Sequence, residues 1–164
     1  MIGLNVHGRI NDLKKEIKRG IWVADEAYHA KLAREKRNRA LKEFASRRST
    51  TVGVLALAAV SEAVEACASR ENLHFGSDPR TALAKRGEWL NENFPDLAEP
   101  FKTLLETYEF FKSPKHSLEF SRAPVYLTWW FRFPNPEYGN RAEKAIDAME
   151  KIFDVLHKKT GIEF

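Results

Sequence analysis

His116 has more neighbours able to support chemistry than the other histidines of this chain. It follows an apolar helical stretch, in the run Leu104-Leu-Glu-Thr-Tyr-Glu-Phe-Phe-Lys-Ser-Pro-Lys-His116, with Lys112 and Lys115 close by in sequence. An imidazole titrates near neutrality and can give or take a proton, and ammonium groups beside it can stabilise charge developing on a phosphate. The plainer role is a loop histidine satisfied by a backbone carbonyl. Two Glu-x-x-His spacings, Glu26 to His29 and Glu71 to His74, are a second source of chemistry, because residues three apart share a helix face and can hold one metal jointly. Glu62, Glu65, Glu106 and Glu109 are available to complete such a carboxylate set, although glutamate is abundant and surface carboxylates with a capping histidine give the same pattern. Other enzyme signatures are absent: there is no Gly-rich phosphate loop, dinucleotide fingerprint, His-Glu-x-x-His or nucleophile elbow. The one cysteine, Cys67, excludes an internal disulfide and cysteine-pair zinc sites, and reads as a small buried hydrophobe.

These groups must be positioned by helices. The stretch Thr51 to Ala68, TVGVLALAAVSEAVEACA, is the most apolar and predicts a helix buried on nearly every side, with Ser49, Thr50 and Thr51 as candidate N-caps. Its uninterrupted apolar run, Val52 to Val60, is far shorter than the roughly 20 residues a bilayer requires. Before it, Ile10, Leu13, Ile17, Ile21, Ala24, Tyr28 and Leu32 recur at helical spacing, predicting one long amphipathic helix that Gly20 can bend. After it, Asp78 and Pro79 predict a helix start, with Leu83, Gly87, Leu90 and Phe94 on the inner face. Asp96 is the expected cap of the next helix, whose inner residues are Leu97, Phe101, Leu104, Leu105, Tyr108 and Phe111. The proline-rich stretch 114–136 contains the aromatic run Val125 to Phe133, an expected extended cover, partner surface or base-stacking platform. Asn140 and Glu143 form a capping box for a last helix with Ala142, Ala145, Ile146, Met149, Ile152, Phe153 and Leu156 inside and Gly161 at its end.

The expected fold is therefore all-α: one helical domain over 1–164, a bundle of four to five helices with an irregular aromatic- and proline-rich insertion before the last. Residues 1–50 form a basic helical arm and 51–164 the bundle core. The net charge of +4 over 164 residues conceals an asymmetry. Residues 1–50 hold 13 Lys or Arg against 6 Asp or Glu, and the remainder 14 against 17. Such a local excess attracts polyanions or simply covers a solvated helix face. Arg34, Lys36, Arg37 and Arg39 lie in its densest part. The N-terminus lacks the pattern of a secretory signal, so a cytoplasmic protein with no membrane span is expected.

The order of an Ala-rich apolar helix, a helix with a Lys-Arg start, a helix ending in a polar turn with a histidine, and an Ala-rich last helix resembles the HEPN superfamily of nucleotide-binding and ribonuclease domains. The resemblance spans roughly residues 52–160 on the size scale of a domain. It implies a homodimer and a metal-independent endoribonuclease of a defence or toxin–antitoxin setting. The implied turn is an arginine, a polar residue, about three variable residues, then histidine. His116 matches as the general acid or base. The arginine position holds Phe111 and the next Lys112, which carries charge without the guanidinium fork that grips phosphate.

The leading expectation is thus an HEPN-like domain binding RNA or another polyanion. His116 and Lys112 are its candidate catalytic residues, and Lys115, Arg122, Arg34, Lys36, Arg37 and Arg39 its candidate nucleic-acid contacts. No cofactor and no metal are assigned. The alternative is a non-catalytic interaction or dimerisation module that meets a protein partner through Val125 to Phe133. A third reading is a carboxylate-bridged di-metal bundle.

Overall fold

The computed structural model describes residues 6–76, 78–112 and 136–164, with side chains from Glu26 onward except that of Pro79. His116, Lys115, Arg122 and the Val125 to Phe133 run lie outside the described residues. Five α-helices occur among those described: α1 (Val6–Ala45), α2 (Ser49–Ser69), α3 (Pro79–Asn93), α4 (Ala98–Lys112) and α5 (Pro136–Thr160). No strand occurs among them, and the fold is an all-α bundle.

Helix α2 is the centre, packed against α1, α3, α4 and α5. Val52, Ala56, Ala59, Val60, Ala63 and Val64 are fully buried, as a helix apolar on every side requires. It is long and apolar enough to cross a membrane, yet 72% of its most apolar window is buried inside the protein. Small residues set how closely its neighbours approach. A Cβ on Gly53 would lie 2.8 Å from Cδ2 of Phe111, and one on Gly87 of α3 would lie 2.9 Å from Cε1 of Phe101. Both glycines are therefore filled by an aromatic ring from α4.

The expected inner face of the last helix is buried at all seven positions, with Ala148 added. Asp78 caps α3 through Oδ1, which accepts from the Arg80 amide at 3.1 Å. Gly161, at φ +71°, ends α5, and its amide donates to the His157 carbonyl at 2.8 Å.

Three helix starts differ from expectation. Ser49 to Thr51 lie inside α2, whose N-cap is Arg48 without a side-chain cap bond. Asp96 sits in a short 3-10 turn, Pro95–Leu97, ahead of α4. Asn140 lies within α5, which begins at Pro136 because proline's fixed φ suits a first helical position. The segment expected as an arm also contributes to the core, since Ala30, Ala33 and Ala40 of α1 are buried against the bundle.

Candidate functional site

The turn between α1 and α2 carries two adjacent arginines, Arg47 and Arg48. Helix α1 ends in a Schellman motif, with the Arg48 amide donating to the Glu43 carbonyl at 3.0 Å and the Arg47 amide to that of Phe44 at 2.9 Å. This closure puts Arg47 at φ 59°, a left-handed conformation that favours glycine and costs a side-chain-bearing residue about 1–2 kcal/mol. Its side chain is exposed, as are those of Arg34, Arg39 and Lys42. Among the described residues these four join no ion pair. Arg48 is paired with Glu43 at 2.8 Å, and Lys31 with Glu35 at 3.9 Å.

A groove of about 440 Å³ opens at this turn, lined by Phe44, Arg47, Arg48, Ser49 and, from α5, Gly139, Asn140 and Glu143. Phe44 is 37% exposed. An exposed aromatic ring in one groove with Arg47, which joins no ion pair among the described residues, offers stacking and phosphate attraction together.

The other expected nucleic-acid contacts of α1 are engaged within the protein. Lys36 donates to Glu62 Oε1. Arg37 grips Glu150 of α5 through Nε–H···Oε1 at 2.7 Å and Nη2–H···Oε2 at 2.5 Å, and its guanidinium lies 5.1 Å from the Phe153 ring centre. Both tie α1 to its neighbours. The hydrogen bonds that Arg37 donates to Glu150 raise its pKa against the opposing effect of burial.

Lys112, the candidate catalytic lysine, is exposed at the end of α4, 3.8 Å from Glu109 and 5.6 Å from the centre of the Tyr108 ring. Phe111 points the other way. It is 6% exposed, sits against Gly53, and meets Phe110 and Tyr138 edge-on. The arginine position implied by the resemblance is thus a core position here.

The Glu-x-x-His pairs do not act as pairs. Glu26 receives Arg70, with Nε–H···Oε2 at 2.9 Å and Nη2–H···Oε1 at 3.0 Å. Glu71 accepts from Trp89 Nε1 at 3.1 Å. The two histidines instead converge on α2, their ring centres 5.7 Å apart. His29 Nδ1 lies 2.7 Å from Glu62 Oε2. His74 Nδ1 lies 3.4 Å from Glu65 Oε2, which also accepts the Phe75 amide at 3.2 Å. Glu65 is only 2% exposed and receives Arg86 on Oε1, from Nε at 2.9 Å and Nη2 at 2.8 Å. Burial pushes the Glu62 carboxyl up, and the hydrogen bonds from His29 and Lys36, with their charges, more than offset it, so its pKa is lowered. Sequence spacing names both histidines and places Glu62 and Glu65 among the carboxylates able to join them. Which acid meets which histidine is set by how α1 and the loop after α2 pack on α2. Cys67 stays apart from this chemistry: it is buried, and desolvation pushes its thiol up to about 12.

Comparison with protein-family models, curated proteins and solved structures finds no match to this chain.

Proposed function

We propose that this chain is a non-catalytic, HEPN-like helical domain that binds RNA, a polyanion, at the turn between α1 and α2. The observation that carries the reading is the groove at this turn, lined by the exposed ring of Phe44 and by Arg47 and Arg48, with Arg47 in no ion pair among the described residues. Arg39 and Lys42, exposed and likewise outside any ion pair among the described residues, precede it on α1. Cations attract the phosphates and release their counterions, and the ring gives an unpaired base a surface to stack on. Arg34, also exposed, adds positive charge further back along α1. Lys36 and Arg37 hold α1 in place for this surface.

The burial of Phe111 favours binding over cleavage. A phosphate-gripping guanidinium cannot be supplied from a position packed against Gly53. The test is fluorescence anisotropy with a labelled single-stranded RNA, beside a cleavage assay in chelator. Reversing Arg39, Lys42 and Arg47 to glutamate is expected to weaken binding by at least about tenfold. Reversing Lys158, which is paired with Asp154 at 2.7 Å, should change it far less. Equal loss from both would contradict the surface. Chelator-resistant cleavage that disappears in His116→Ala would overturn the non-catalytic reading and restore the ribonuclease.

A further inference from the structure

Beyond RNA binding, we infer that His29, Glu65 and His74 form a binding site for one first-row divalent transition metal ion, with zinc the ion that suits the donors best. One ligand atom from each of the three side chains lies within 4.8 Å of the others. Bonds of about 2.0–2.2 Å to zinc bring such atoms closer than this, so the set closes by roughly an ångström when the ion enters. The ligands come from three segments: α1, α2 and the loop after α2. That arrangement is made by the fold and not by local spacing.

The groups around the three support the assignment. With Nδ1 of His29 engaged by Glu62, Nε2 is the nitrogen available to an ion. A carboxylate behind a ligating imidazole fixes its orientation and raises its basicity, as in many zinc centres. Glu65 is held by Arg86 on Oε1, so Oε2, on the side of His74, is the oxygen to be shared. Two imidazoles and one carboxylate suit zinc, cobalt or ferrous iron, whereas magnesium and calcium prefer oxygen alone. Both histidines retain some solvent exposure, 18% and 27% at the side chain, so an ion and its remaining ligand can enter. Lys36 and Arg86 already neutralise the two carboxylates. A bound divalent ion therefore keeps net positive charge and draws hydroxide or another anionic oxygen into its open position.

The test is calorimetric titration of the purified, chelator-treated chain with zinc chloride and, separately, magnesium chloride. One equivalent of zinc and no magnesium should bind. His29→Ala and His74→Ala should each weaken zinc at least about 100-fold, and Glu62→Gln about 10-fold through lost orientation. His157→Ala should leave zinc unchanged, since that ring is engaged by the Ile162 carbonyl at 2.8 Å. In the cobalt-loaded parent, proton NMR should show paramagnetically shifted resonances from two imidazoles, a readout that needs no variant to fold. Absence of stoichiometric zinc in the parent, zinc binding retained after loss of both histidines, or cobalt shifts from no imidazole would each overturn the site.

Discussion

His29 of α1 and Glu62 of α2 are joined by a 2.7 Å contact between Nδ1 and Oε2, and Lys36, two turns further along α1, donates to the other oxygen of the same carboxylate. One half-buried acid therefore fastens two turns of α1 to the central helix. That attachment holds α1 against α2, ahead of the end of α1 where Phe44 lines the groove.

The carboxyl of Glu62 carries a pH signature. Its folded pKa lies below the ordinary value of 4.5, so its contribution to stability is complete above the carboxylate range and is lost as pH falls through the folded value. Thermal unfolding of the parent should lose more stability between about pH 5 and pH 3 than that of Glu62→Gln. At neutral pH the variant should be less stable by about 1.5–3 kcal/mol, the range for hydrogen bonds to charged groups. Parallel pH profiles for the two proteins would show that the attachment contributes nothing.

Arg47 should trade stability against binding. Arg47→Gly relieves a left-handed residue but gives the unfolded chain more freedom, so a net gain of about 0.5–1 kcal/mol is expected in urea unfolding. The same variant should bind RNA more weakly than the parent. A gain in stability with unchanged affinity would mean that the strain at this turn serves nothing at the proposed surface.

The pairing of Gly53 with Phe111 makes the core role of Phe111 measurable. Gly53→Ala gains helix propensity, yet its Cβ meets the ring at 2.8 Å. Overpacking of this kind costs about 1–3 kcal/mol, against a propensity gain of about 1 kcal/mol. The variant should be destabilised, and Phe111→Leu in the same chain should recover part of the loss. A Gly53→Ala protein more stable than the parent would indicate that α2 and α4 separate easily.

Periodicity made the bundle legible because each inner face is continuous within one helix: the stripe from Ala142 to Leu156 and the run from Val52 to Val64 can be read without knowing what they touch. Helix starts were less legible. Pro136 opened α5 ahead of the better-looking cap at Asn140, and Arg48 precedes α2 although three hydroxyl residues follow it. The candidate sites divide in the same way. Arg34 and Arg39 stand out as charges in sequence and remain exposed, whereas Lys36 and Arg37 look identical to them there and are distinguished only by Glu62 and Glu150, 26 and 113 residues away. The convergence of His29 and His74 on Glu65 likewise depends on how α1 and the α2–α3 loop meet α2. No local spacing encodes it.

The salt dependence of RNA binding tests the central claim most directly. Each phosphate neutralised on a single strand contributes about 0.7 to the slope of log K against log salt. Replacing Arg39, Lys42 and Arg47 together with alanine should therefore reduce the slope by about 2, while the slope for Lys158→Ala stays at the parent value. An unchanged slope in the triple variant would contradict an RNA surface at this turn.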